Sequence, residues 1–590
     1  MMMTGGSFLI DTISPEDIFI PEDMDVNQKL IANLVEEFLR GEVEPRMKEL
    51  ESKTEGLMLE LLKKSGAMGW LSVDIPKEFG GMRLDNTTSL IVTEKFSIGG
   101  PLAIGFLAHV VLGTLSILYF GNSEQKQRYL PDLAKGKKIG AFALTEPDAG
   151  SDALSSRTVA TLSENGKDYI LTGTKQFISN TGYADVFIIF AKINGEKFTA
   201  FILDRDAKGL SFGEEEDKMG IRGATTRSLT LENVRIPAQN LLFQPGKGHV
   251  VAFNTLNIGR YKLGGLCIGA SKLAFDDSLR YAKNRVQFGQ PISNFGMIKE
   301  KIGEMAIRIF VGESMVYRTS RLIEESLKGV TMTSNESCFE LANRIEEFAT
   351  ECSLNKVYAS EMLDFVVDEA VQIHGGYGYI KDYPVERYYR DSRLNRIFVG
   401  TNEINRLLIL RMFLKRVTKG QLLLETAFQK TISEILKPVV KVSLRSEGLV
   451  ELGHLVDNAK KISLLSLRSV LQAHPNDLEN HQSLMGMISN MMIEVFAMES
   501  SHLRAQKINQ KWGEEKGEIP KAISQVYIMD AFMRVERWAK LIFAAIAEGD
   551  MLQKQLSDLE KLTRYTPVNS VALREKIADF MLQARRYFIS

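Results

Sequence analysis

The chain has 590 residues, 44 % apolar and 25 % charged, with a formal net charge of -1. That composition suits a soluble globular protein of about three to four domains and lacks the basic field that nucleic-acid binding requires. Cys267, Cys338 and Cys352 form no CxxC and have no histidine nearby at zinc spacing, so no metal site is expected, and three such cysteines fit a reducing compartment rather than a disulfide scaffold.

The N-terminal MMMTGGSFLI lacks the basic region and long apolar core of a signal peptide, so a cytoplasmic location is expected, or the mitochondrial matrix in a eukaryote. Over 1–138 the pattern is helical, as in NQKLIANLVEEFLRGEVEPRMKELE, with apolar residues at three- and four-residue spacing. Phe96 to Ser123 contains no charged residue and is long enough to cross a bilayer. Its five glycines, Pro101 and central His109 favour helices buried in a protein core, with His109 a hydrogen-bonded core residue.

Residues 139–247 read as a β domain: IGAFALTEP, DYILTGTKQFIS, ADVFIIFAKI, KFTAFILDR and RSLTLENVRIP are short and rich in β-branched and aromatic residues. Asn165-Gly166 and Asn194-Gly195 predict tight hairpins with positive φ at both turn positions. Residues 248–418 return to long helices, one starting after Pro384. Residues 419–590 form a further helical extension. Its methionines at 485, 487, 491, 492 and 498 are expected to fill a core. QLLLETAFQKTISEILKPVVKVSLRS (421–446) is amphipathic, and a packed helix is favoured there over membrane attachment.

No GxGxxG, Walker A, GxSxG or HExxH motif is present, and GGYGYI at 375–380 follows no βαβ-type strand. Specificity comes from six separated stretches in order: AFALTEPDAGSD (141–152), GTKQFISN (173–180), KMGIRGATTRSLTLENVRIP (218–237), NRVQFGQPISNFGMIKEKIGEM (284–305), QIHGGYGYIKDYPVERYYRDSRLNRIF (372–398) and GTNEINR (400–406). Together they resemble the acyl-CoA dehydrogenase family of flavoproteins over residues 25–415. The extension to 590 resembles the very-long-chain type, which includes long bacterial forms.

The resemblance implies a mainly α fold with a central β domain: a helical domain, a β-barrel-like domain, a four-helix bundle and the C-terminal helices. It implies FAD between the β domain and the bundle, α,β-desaturation of a fatty acyl-CoA, reoxidation by electron-transfer flavoprotein, and a homodimer. By motif position, Phe142, Leu144 and Thr145 would meet the isoalloxazine edge. Ser151 would lie where pyrophosphate and acyl-CoA meet, Phe177 would flank the ring, and Ser179 would reach N5. Arg285, Gln287 and Phe288 would hold the pyrophosphate and adenosine of FAD. In the family these three, with the matches to Gln372, Gly375 and Gly376, come from a neighbouring subunit. Thr401 would touch FAD, and Arg260, Val399 and Gly400 would face the acyl-CoA.

One departure stands out. The family's proton-abstracting Glu usually precedes the Gly-Thr of this turn, where this chain has Val399. The isovaleryl and long-chain branches place it before the match to Arg260, where this chain has Gly259. Read as sequence, Val399 is the last apolar residue before a capped turn. Glu403 should face elsewhere from the first helical turn, Glu146 is not the family's base, and Glu214, Glu215 and Glu216 suit a solvated loop. Three functions remain open: a long-chain dehydrogenase with impaired or unusual catalysis, a silent acyl-CoA-binding flavoprotein with a binding or assembly role, and an engineered base knock-out.

Overall fold

A computed structural model describes residues 4–330, 335–436, 442–443 and 449–589. Its first part is helical, as the apolar spacing predicts. Val26–Phe38 is capped by the Asp25 carboxylate on the Gln28 N–H, and Asn86–Phe96 by Asp85 on the Thr88 N–H. The uncharged stretch becomes one rod, Pro101–Phe120, with 94 % of its apolar window buried inside the protein. Ala108–Thr114 within it is wound as π-helix, a local widening that redirects side chains.

His109 lies in that widened turn and is fully buried. Its Nδ1 accepts the Gly140 N–H at 2.9 Å and its Nε2 meets the Leu133 carbonyl at 3.1 Å. Burial lowers its pKa to about 4, so the ring is neutral and has one donor and one acceptor for these two partners. The expected core histidine thus ties the rod to the first strand.

The strands are β1 (Gly140–Ala143), β2 (Val159–Leu162), β3 (Asp168–Ser179), β4 (Val186–Ile193), β5 (Lys197–Asp204), β6 (Leu210–Phe212), β7 (Thr226–Pro237) and β8 (Leu241–Leu242). They form one sheet in the order β6-β7-β3-β2-β4-β5-β8, with β1 beside β4. Asn194 (φ 52°) and Gly195 (φ 78°) make the expected tight turn between β4 and β5. The Asn165-Gly166 turn differs from expectation. Only Gly166 has positive φ there, because β2 and β3 are joined by a longer loop in which Asn165 Oδ1 accepts from Ser163 Oγ and the Lys167 N–H.

Four long helices follow: Gly248–Asn284, Gly296–Leu327, Ala349–His374 and Asn402–Thr418. A Cβ on Gly269 would overlap Glu94 O and Ser97 Oγ, so the first of these helices and Asn86–Phe96 approach backbone to backbone. The extension packs on this bundle through Leu449–Ala473 and the long element Gln482–Ile546, which is kinked at Gly513 (φ 85°). Met485, Met491, Met492 and Met498 are fully buried. Leu424–Ile435 packs Leu424, Phe428, Thr431 and Ile435 inward, while 437–441 and 444–448 of the amphipathic stretch lie outside the described residues.

A buried ionic cluster joins the three parts. Arg504 of the extension pairs with Glu22 at 2.5 Å and Glu313 at 2.7 Å. Lys272 pairs with Glu313 and with Glu94, and the Tyr587 hydroxyl donates to Glu313 at 3.1 Å.

Candidate functional site

Phe142 lies on β1, edge-on to Phe190 at 5.0 Å, and the strand runs on into Leu144 and Thr145. Beside it, β3 is broken by a bulge between Lys175 and Ile178. The Gln176 N–H donates to the Thr145 carbonyl at 2.9 Å, and Phe177 takes φ 58° and stands 62 % exposed. The bulge therefore turns Phe177 out of the sheet, as bulges next to binding sites do. Ser179 resumes the ladder opposite Thr226. Ser151 is exposed in the turn after β1.

Glu146 is occupied. Its carboxylate accepts from Lys175 Nζ at 2.6 Å, Thr158 Oγ1 at 2.5 Å and the Arg157 N–H at 2.5 Å. Burial would raise its pKa, and Lys175 with these donors more than offsets that, holding it below its ordinary range. The acidic run differs from the solvated loop expected. Glu214 is exposed, but Glu215 is tied to Thr225 Oγ1, the Thr226 N–H and Arg227 Nε, and Glu216 accepts from Gln176.

The turn at 399–401 differs most from its sequence reading. Val399 is itself left-handed (φ 57°), followed by Gly400 at φ 85°. For a β-branched residue this conformation costs about 1–2 kcal/mol, so the surroundings must hold it. They do so through the carbonyls. Arg260 Nε donates to Val399 O at 3.3 Å. Lys356 Nζ and Asn405 Nδ2 each donate to Gly400 O at 2.8 Å, and Asn405 Nδ2 also reaches Thr401 O at 2.9 Å. Thr401 Oγ1 caps the next helix on the Ile404 N–H. Among the described residues, the N–H groups of Val399, Gly400 and Thr401 donate to nothing.

Gly259 faces this turn: a Cβ there would lie 3.4 Å from Val399 Cγ1, with Leu112 and Val111 of the rod as its next neighbours. The two positions to which the resemblance assigns a Glu therefore adjoin one point, walled by apolar groups. Next to it, Arg260 is buried, donates to Asn257 Oδ1 at 2.6 Å, and has its pKa lowered to about 10 by desolvation. Glu403 is exposed in the first turn of its helix.

The remaining predicted residues form a second group. A cavity of about 510 Å³ is lined by Arg285, Gln287, Gly375, Gly376, Tyr281 and Tyr377, among others. Arg285 stands over the Tyr377 ring at 5.6 Å. Phe288 (φ 52°) is 93 % exposed, and Gln372 lies exposed in the last turn before Gly375. Among the described residues no hydrogen bond or ring contact joins this group to the β-domain group.

Comparison with known proteins matches the descriptions "Acyl-CoA dehydrogenase, N-terminal domain" to residues 25–137, "middle domain" to 141–234 and "C-terminal domain" to 246–414, with another C-terminal domain of that family over 458–561. A probable acyl-CoA dehydrogenase of Bacillus subtilis is 44 % identical over 99 % of this chain and 98 % of its own. The chain belongs to the acyl-CoA dehydrogenase family. The crystal structure of an acyl-CoA dehydrogenase complexed with FAD from Bacillus anthracis superposes with a TM-score of 0.97 at 45 % identity over the whole of both chains. The very long-chain specific acyl-CoA dehydrogenase of Bos taurus mitochondria is 36 % identical over 68 % of this chain and 60 % of that protein.

The site fits the family's flavin. Phe177 and Phe288 are aromatic surfaces held outward on left-handed backbone, and a Cβ on Gly375 or Gly376 would meet nothing within 4 Å. Sequence reasoning missed Lys356, Asn402 and Asn405, which hold the acyl-CoA dehydrogenase turn from behind. It also missed His474, Asp477 and His481, which meet at metal-ligand spacing in the extension. There the two imidazole centroids lie 3.5 Å apart with the rings tilted by 32°, and Asp477 already accepts from His481.

Proposed function

We propose that this chain binds FAD and a long-chain fatty acyl-CoA as acyl-CoA dehydrogenases do, and that its α,β-desaturation is slowed by the loss of the proton-accepting side chain. The observation that carries this is the apposition of Val399 and Gly259: both positions for the base adjoin one apolar point, and neither side chain accepts a proton. FAD, when bound, supplies the hydride acceptor for the substrate β-carbon. Phe142, Leu144, Thr145, Phe177 and Ser179 would wall and orient the ring. Arg285, Gln287, Phe288, Gln372, Gly375 and Gly376 would hold the pyrophosphate and adenosine across a homodimer interface, which accords with the separation of the two groups in one chain. The free Val399 N–H would donate to the thioester carbonyl and stabilise charge on its oxygen. A positioned base contributes about 10²–10⁴-fold, and that factor is missing. The buried rod Pro101–Phe120 beside Gly259 suits a long acyl chain. Electron-transfer flavoprotein would be the acceptor and the cytoplasm the location.

A silent binding role is the second reading, favoured by the intact N–H cradle without its carboxylate. One experiment separates them. The purified yellow protein is mixed anaerobically with palmitoyl-CoA and flavin bleaching is followed. Slow or absent bleaching in the wild type, accelerated about 10²–10⁴-fold in Val399→Glu, supports impaired catalysis by descent. Prompt bleaching in the wild type refutes the missing-base account, and a Val399→Glu protein that binds but never bleaches favours the silent role.

A further inference from the structure

Lys356 sits on the helix Ala349–His374 and its side chain is fully buried. No carboxylate lies within ion-pair distance of it among the described residues. Its Nζ donates instead to the Gly400 carbonyl at 2.8 Å and Asn402 Oδ1 at 2.6 Å. Asn402 is fixed in turn by Ser360 and Glu361, four and five residues further along the same helix, through Nδ2 bonds of 3.1 and 3.0 Å. A methionine would fill the same space without removing an amine from water, so burying a lysine here is costly unless its hydrogen bonds serve a purpose.

That purpose is visible in the turn. Val399 and Gly400 are consecutive left-handed residues, and the peptide between them sets where the Gly400 N–H points, while the peptide after Gly400 carries the carbonyl that Lys356 grips. Pulling that carbonyl toward the helix turns the Thr401 N–H, at the other end of the same planar peptide, to the opposite side, where nothing among the described residues accepts from it. Arg260 grips the preceding carbonyl from the neighbouring helix, so the turn is held at two successive points.

We infer that Lys356 is a positioning residue that fixes the 399–401 turn so that its N–H groups present a preformed oxyanion cradle to an acyl thioester. This deepens the reading above and rests on it. Lys356 touches neither substrate nor flavin; it acts through the Gly400 carbonyl. Desolvation lowers its pKa to about 7, and both the ammonium and the neutral amine have enough protons for the two bonds observed.

The test needs a ligand that does not depend on the missing base. A 3-ketoacyl-CoA has an α-carbon between two carbonyls and ionises to its enolate without help from the protein. Its enolate fraction on the flavoprotein, read by absorbance, therefore reports the oxyanion donors alone. Losing one such donor costs about 10²–10³-fold in related sites, so Lys356→Met is expected to shift the enolate equilibrium at least about tenfold toward the ketone. Flavin content per chain and affinity for a saturated acyl-CoA should stay within about threefold, and Lys356→Arg should recover part of the shift. If Lys356→Met does not fold, Lys356→Gln, which stays polar but falls short of Gly400 O, is expected to show the same shift. Wild-type ionisation in the folded Met or Gln variant overturns the inference. A wild-type protein that binds no 3-ketoacyl-CoA overturns the acyl-CoA reading and this inference with it.

Discussion

Arg504→Ala should loosen the extension and the first residues of the chain together. The guanidinium is fully buried, paired with Glu22 and Glu313, and stacked over the Phe310 ring at 4.2 Å. Burial alone would lower its pKa; the two carboxylates overcome that and hold it above the ordinary arginine range. Removing it leaves the two partners unequal. Glu313 keeps Lys272, whereas Glu22 has no other ion-pair partner among the described residues. Breaking one side of a buried network costs about 3–5 kcal/mol, against about 0–1 kcal/mol for an exposed pair. The expected loss is thus about 3–5 kcal/mol, and it should be local first. Native-state hydrogen exchange on the full-length protein should show residues 4–24 and the stretch around 504 opening more readily by that amount. Combining Arg504→Met with Glu22→Gln removes both charges and should restore more than half of the loss. A change below about 1 kcal/mol in Arg504→Ala would refute the view that this cluster holds the extension to the core.

Three further outcomes are expected. Gly269→Ala places a methyl group into Glu94 O and Ser97 Oγ, so it should destabilise the protein by more than about 2 kcal/mol in chemical denaturation, whereas Gly259→Ala, at ordinary contact distance from Val399, should be tolerated. His109→Leu leaves the Gly140 N–H and Leu133 carbonyl unpaired at about 1–3 kcal/mol each and unpins β1; the flavin content of the purified protein should fall. Burial raises the Glu351 pKa from 4.5 to about 7, while its Oε1 accepts the Gly6 N–H at 2.6 Å. Its folded pKa lies above its unfolded one, so the folded state binds the extra proton, and stability is present below about pH 4.5 and declines as pH rises to about 7. Glu351→Gln should flatten that decline in pH-dependent proteolysis of the first residues; an unchanged slope would discard this assignment.

The order of helical, β and helical segments was legible because each rests on a repeating pattern many residues long. The family followed from motif spacing, which survives substitution at single positions. The backbone of the site was not legible. Phe177, Phe288 and Val399 are residue types that ordinarily signal strands, yet all three are left-handed, and only the surrounding hydrogen bonds compel that. Val399 was read as an apolar stop before Gly400, and nothing local distinguishes that from the turn observed. Lys356 and Asn402 are 46 residues apart and meet only in the fold. Asn405 gave a faint signal, as an amide four residues after a capping threonine. Glu215 was misread because a run of acidic residues suggests solvent, and the donors that pin it arrive from Thr225 and the start of β7, ten to twelve residues on.

The buried cluster also sets an order of events during synthesis. Glu22 leaves the ribosome 482 residues before Arg504, and Asp11, whose carbonyl accepts from Lys460, precedes that residue by 449. At about 5–20 residues per second, Lys460 and Arg504 arrive roughly 25–100 s after Asp11 and Glu22. Until then the N-terminal arm can dock by hydrogen bonds, among the described residues, only through Gly5 and Gly6, whose N–H groups donate to Glu347 and Glu351 of the bundle. The last third of the chain is thus the template on which the beginning finally settles, and a nascent protein released early would carry a loose leader at one end and an uncovered bundle face at the other.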